Sequence, residues 1–248
     1  MEQNSPVESG EIDTSSQPLK TSGKKVASNF LLFFLLVIWP LSSYFLMSDF
    51  GSGGGDQSTE FYLENANLVT QIYLPTVFIQ LLVFLLIFLV LRLCKEGFSS
   101  IGLGGFNFKN LFTGIIFWVG ISFFFLLMVN TLQIYKFFTP PQISHLLPKT
   151  QIQKIIWVIM ALSASVSEES AFRGFVLTRL NSHIGNWWLT ILIASLFFSL
   201  GHLYQGFSGM IFAGLYGASF SVLFLWRKSL FPCITAHFIQ DIIPLFAP

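Results

Sequence analysis

Three short clusters place ionisable side chains inside the apolar C-terminal half: Ser167-Glu168-Glu169-Ser170-Ala171-Phe172-Arg173, Phe198-Ser199-Leu200-Gly201-His202 and His237-Phe238-Ile239-Gln240-Asp241. If the first cluster is helical, Glu169 and Arg173 stack on one face, acid before base, which is the favourable order for such a pair. Glu168 then lies about 100° round the helix and cannot easily share Arg173. Glu169 is expected to be neutralised and structural, while Glu168 is left to act as a general base. The spacing alone also allows a plainer reading, in which Glu168, Glu169 and Arg173 cap a helix end at a membrane interface.

His202 ends one apolar run and His237 sits inside another. Two imidazoles and an unpaired carboxylate from three segments form a candidate Glu/His/His set. Glu168, His202 and His237 could ligate Zn²⁺ or another divalent ion, with one position left open. Alternatively, Glu168 activates a water directly while an imidazole orients it or stabilises the oxyanion. Asp241 follows His237 by four residues on the same helix face. It could accept the other ring N–H of His237 and fix its tautomer, or contact water or substrate. His145 and His183 fall in polar loops and read as surface residues.

The elements that must hold these groups are membrane spans. Of 248 residues, 53% are hydrophobic and only 10% charged, and the mean hydropathy is +0.69. A soluble domain carries about 25% charged residues, so this chain could not cover itself with a solvated surface. The apolar residues come in blocks of about 17–25, the length that crosses a bilayer. We read an all-α polytopic bundle of about seven spans (six to eight), with a membrane-embedded active-site cavity. The spans are Asn29–Met47, Thr70–Cys94, Leu111–Leu132, about Ile152–Ser167, Trp187–Gly201, Met210–Trp226 and Phe231–Phe246.

Residues 1–28 are polar and without periodicity, and read as a disordered cytoplasmic tail. Residues 29–135 hold the N-terminal spans, whose apolar stretches carry almost no ionisable residue, and 150–246 the core that carries the chemistry. Lys20, Lys24 and Lys25, then Arg92, Lys95 and Lys109, then Arg173, Arg179, Arg227 and Lys228 mark inside loops, whereas the Asp/Glu-bearing first loop has no Lys or Arg. The N-terminus is therefore expected in the cytoplasm; the third loop, with Lys136, Lys149 and Lys154, is the exception. A strict seven-span count puts Glu168 and His237 near one membrane face and His202 near the other. The count therefore demands a tilted, broken or re-entrant span, or borders other than those read from hydropathy.

Several classes are excluded. The net charge of +1 and the lack of a basic patch give no footprint for nucleic acid. Cys94 and Cys233 have neither disulfide-framework nor metal-ligand spacing. No His-Glu-x-x-His zinc helix, Gly-x-Ser-x-Gly elbow or phosphate loop occurs.

At its three clusters the sequence resembles the CPBP family, which comprises type II CAAX-prenyl endopeptidases and bacteriocin-processing or immunity (Abi) proteins. The family pattern is Glu-Glu-x-x-x-Arg, Phe-x-x-x-His and His-x-x-x-Asp/Asn. Here it stands as Glu168-Glu169-x-x-x-Arg173, Phe198-x-x-x-His202 and His237-x-x-x-Asp241, in that order. The resemblance covers about residues 150–245. It implies an intramembrane peptidase whose Glu168 and His202 activate water, with His237 and Asp241 stabilising the oxyanion or binding metal. It also implies a peptide or protein substrate at the lipid bilayer, prenylated or bearing a leader, and a multi-pass location such as the bacterial plasma membrane. The family is commonly described as metalloproteases, and a metal-independent glutamate mechanism is argued for its prenyl-processing members. Two other readings remain at this stage: a proton-coupled transporter using the same groups as a relay, and a non-catalytic scaffold or immunity-type protein of the same fold.

Overall fold

A computed structural model describes residues 22–41, 67–131 and 146–246. Most of the N-terminal tail, the acidic first loop and the third loop with Lys136 and His145 lie outside these residues.

Seven helices run through the described residues: α1 (Gly23–Leu41), α2 (Val69–Cys94), α3 (Phe108–Thr131), α4 (Gln151–Ile184), α5 (Trp187–Leu200), α6 (Gly206–Arg227) and α7 (Phe231–Ile242). The bundle is all-helical, as the apolar blocks require. Helices α1 to α4, and the segment Leu203–Arg227 that contains α6, are long and apolar enough to cross a bilayer, while α5 and Phe231–Phe246 are shorter. The first helix starts at Gly23, six residues before the Asn29 border read from hydropathy. Lys24 and Lys25 are thus its first turns and not part of a tail.

The larger correction concerns α4. The apolar run ends near Ser167, but the helix continues for 34 residues, from Gln151 to Ile184. Thr150 opens it with a capping box: its hydroxyl accepts from the Gln153 N–H, and the Gln153 side chain accepts from the Thr150 N–H. Residues Ser170–Val176 form a π-helical stretch in its middle, and all seven are buried. Such wide turns are rare and concentrate at functional sites. Gly185, at φ 71°, stops α4, and the Asn186 side chain caps α5 by accepting from Trp188 and Leu189 N–H.

Helix α4 is the pillar of the bundle. It packs against α2 and α7, while α7 packs on α3, α1 on α2, and α5 on α6. Gly174 lets the π stretch meet the α2–α3 connection, where a Cβ would stand 2.9 Å from the Ile101 carbonyl oxygen. Gly114 does the same between α3 and α7; its Cβ would be 2.5 Å from the Pro232 oxygen. Small residues at crossings are how membrane helices approach closely. Phe78, Phe112, Ile116, Phe123 and Leu192 stay exposed on the outside, where lipid replaces water. Cys94 and Cys233 are free and buried.

Candidate active site

The long α4 resolves the conflict over depth. Glu168 is mid-helix, and from it α4 runs about 24 Å on to Ile184 before the turn, at 1.5 Å per residue. Helix α5 returns over 14 residues, so His202 comes back level with Glu168. The fourth span was drawn too short.

Glu169 and Arg173 pair as their spacing requires, Oε1 to Nη1 at 2.9 Å, and both side chains are essentially fully buried. The Arg173 guanidinium also lies 4.3 Å from the centroid of the Phe198 ring and 5.5 Å from that of Phe220. Desolvated cation–π contacts of this kind contribute about 2 kcal/mol. Phe198 has a second task, because its carbonyl oxygen is 2.9 Å from His202 Nδ1. A carbonyl only accepts, so Nδ1 carries the hydrogen and the Nε2 lone pair is turned toward Glu168.

His237 is oriented from the other side. Its Nδ1 lies 2.7 Å from Glu169 Oε1, and its Nε2 lies 3.4 Å from Asp241 Oδ2. This reverses one expectation: the carboxylate on Nδ1 is Glu169, and Asp241 sits at the nitrogen that faces the site. Glu169 is therefore more than a counter-ion for Arg173. Trp157 Nε1 donates to the Asp241 main-chain oxygen at 2.9 Å, and Trp118 Nε1 donates to Gln240 Oε1 at 2.8 Å. The two indoles peg the end of α7 that bears Asp241.

Glu168 is the convergence point. Its Oε2 is buried without a hydrogen-bond partner among the described residues. It stands 3.9 Å from His202 Nε2 and 4.0 Å from His237 Nε2. The structure thus brings together all six residues singled out from the sequence, Glu168, Glu169, Arg173, His202, His237 and Asp241. It adds one that hydropathy reading passed over: Gln80 of α2 donates to Glu168 Oε1 at 2.8 Å. The signal was there, an amide in the middle of the apolar run Thr76-Val77-Phe78-Ile79-Gln80-Leu81-Leu82-Val83. A search confined to ionisable groups does not register it.

The donor types of Glu168, His202 and His237 suit a divalent ion, and hydrogen-bonded Nδ1 atoms are usual behind metal-bound histidines. The spacing does not suit one. An ion about 2.0–2.2 Å from Glu168 Oε2 and from either Nε2 would have to subtend about 140°, far from tetrahedral. Among the described residues no three such side chains converge closely enough to hold an ion. A water about 2.8 Å from both atoms would span the same separation with an angle of about 90°. An apolar cleft of about 320 Å³ between Trp187, Trp188, Ile191, Val222, Leu225 and Trp226 contains none of these groups.

Residues 150–243 match the family model described as type II CAAX prenyl endopeptidase Rce1-like. This segment is similar to that family. The match agrees with the CPBP resemblance read from the three motifs, and every motif residue falls within it. Comparison with curated proteins and with solved structures returns no match. Gln80 and helices α1–α3 lie outside the Rce1-like segment, so the site is completed by a part of the chain that the family model does not describe.

Proposed function

We propose that the protein is an intramembrane endopeptidase that hydrolyses a peptide bond of a membrane-associated substrate, a prenylated CAAX-type C-terminus being the first candidate. The observation that carries this reading is the unpartnered Glu168 Oε2 faced by His202 Nε2 at 3.9 Å and His237 Nε2 at 4.0 Å. Buried polar atoms are almost always satisfied, so an orphan oxygen in such company points to a water or substrate group as the missing partner.

A water seated between Glu168 Oε2 and His202 Nε2 donates one hydrogen to each. Glu168 takes the first proton as the oxygen attacks the scissile carbonyl carbon. The Glu169 carboxylate accepts from His237 Nδ1, 2.7 Å away, and in the protonated ring the second hydrogen sits on Nε2, which faces the site. Its Nε2–H then donates to the developing oxyanion, stabilisation that is fixed before the reaction begins. Glu168 returns its proton to the leaving nitrogen as the C–N bond breaks. The products are a carboxylic acid and an amine, and no residue is left modified.

The end of the bundle with Lys24, Arg92, Lys95, Lys109, Arg179, Arg227 and Lys228 would face the cytoplasm, as the positive-inside rule requires. A bacterial plasma membrane fits this arrangement. The expected Zn²⁺ or other divalent ion has no step in this mechanism.

The test is proteolysis by the purified chain in liposomes. The substrates are a farnesylated CAAX peptide, the same peptide without its lipid, and a mixed leader-peptide pool, each with and without chelator. Cleavage of the farnesylated peptide alone, at a chelator-insensitive rate, is the expected result. Loss of cleavage with chelator, restored by added Zn²⁺, would replace the water mechanism by a metal one. No cleavage by the folded protein would favour the scaffold reading.

A further inference from the structure

The side chain of Gln80 is almost fully buried in the middle of α2. An amide in that setting is costly unless bonded, yet its Oε1 has no hydrogen-bond partner among the described residues. Its Nε2 makes one bond, 2.8 Å long, to Glu168 Oε1. One residue earlier on α4, the Ser167 hydroxyl donates to the Gln80 main-chain oxygen at 2.8 Å. Two adjacent residues of α4 are thus tied to a single residue of α2, one through the main chain and one through the amide.

We infer that Gln80 is a positioning residue for Glu168, a role that rests on the peptidase reading above. The two carboxylate oxygens are made different: Oε1 is occupied by Gln80, and Oε2 is presented to His202 and His237. A carboxylate free to rotate would spend part of its time with neither oxygen in line with the water. Restricting that rotation is the kind of orientation that raises turnover without changing substrate affinity. The chemical type of the partner matters too. Glu169 is held by the cation Arg173; Glu168 is held by a neutral amide, which orients the carboxylate and leaves Oε2 without a hydrogen bond among the described residues.

The bond also ties the matched segment to α2. The third hydrogen-bonded element of the site comes from a helix outside the matched residues. Ser167 supplies the control, because its bond holds the same two helices together but does not touch the carboxylate.

The test compares Gln80→Met, which keeps length and removes the donor, with Ser167→Ala and Glu168→Gln, using the farnesylated CAAX peptide. Gln80→Met should lower kcat about tenfold with KM within twofold, the loss of one hydrogen bond to a charged group acting in the transition state. Ser167→Ala should leave kcat within twofold. Gln80→Glu, which keeps shape but sets a second carboxylate against the first, should lower kcat further and serves if Gln80→Met does not accumulate. Equal losses in Ser167→Ala and Gln80→Met would reduce Gln80 to helix packing and overturn the inference. An inactive Glu168→Gln beside a fully active Gln80→Met would remove this inference alone, whereas a fully active Glu168→Gln would remove the peptidase reading itself. A readout independent of turnover is the infrared carboxylate band isolated by subtracting the Glu168→Gln spectrum. It should shift in Gln80→Met and stay in place in Ser167→Ala; an unmoved band in Gln80→Met contradicts the assignment.

Discussion

Glu169 Oε1 lies 2.7 Å from His237 Nδ1, linking the middle of α4 to a residue of α7 sixty-eight positions away. The same oxygen holds Arg173 at 2.9 Å. One buried carboxylate therefore neutralises the cation at its own helix and sets the ring of a histidine on another. Structure and site share this atom, so they cannot be damaged separately here.

Glu169→Gln should therefore lower stability and activity together. It leaves Arg173 as a buried unpaired cation, a defect that costs about 3–5 kcal/mol. Thermal unfolding in detergent and peptide turnover per folded molecule are the measurements. A variant with an unchanged melting temperature contradicts the pairing, and one with unchanged kcat contradicts the contact to His237.

The two histidines should separate from Glu169 by the same pair of measurements. His202→Ala and His237→Ala each remove a site group while leaving the Glu169–Arg173 pair in place. Each should lower kcat by about 10²–10³, the scale of a lost positioning or oxyanion donor, with the fold retained. A His237→Ala variant that cleaves at the normal rate would show that the oxyanion is stabilised elsewhere.

Phe198 gives a prediction of the opposite kind. Phe198→Leu removes the ring under Arg173 but keeps the main-chain carbonyl that holds His202. Stability should fall by about 1–2 kcal/mol from the lost desolvated cation–π contact, while kcat per folded molecule changes by less than a few-fold. Chemical unfolding and steady-state turnover decide it, and a large fall in kcat at unchanged stability would contradict the division of labour.

The crossing at Gly114 carries the α7 side of the site. Gly114→Leu inserts a side chain where even a Cβ would meet Pro232 oxygen at 2.5 Å and Thr235 Cβ at 2.7 Å. Helix α7 must move, taking His237 and Asp241 with it, and activity should be lost. Gly120→Leu, at a position on the same helix with open space around a Cβ, should be tolerated. Equal behaviour of the two variants would show that α3 does not set the position of α7.

Much of this site was legible in the residues. The i to i+4 spacing of Glu169 and Arg173 implied their pairing, and the three clusters on separate apolar runs implied convergence. Hydropathy erred at α4, because Glu168, Glu169 and Arg173 end the apolar run while the helix continues through them. Burial in protein, with a salt bridge and two aromatic rings, replaces the hydrophobicity that marks a lipid-facing turn. The π stretch after Glu169 has no composition that betrays it. The exchange of partners on His237 was hidden for another reason: Asp241 is four residues away in sequence, whereas Glu169 reaches it only through the packing of α4 on α7. Gln80 was missed because it carries no charge.

The most direct measurement compares hydrolysis of the farnesylated CAAX peptide by wild type and by Glu168→Gln in the same liposomes, with helical content and melting temperature recorded for both. The water mechanism predicts a folded variant whose kcat falls by about 10²–10⁴, the contribution of a positioned general base. Turnover at the wild-type rate in Glu168→Gln would show that the water is activated by another group, and the central assignment would be wrong.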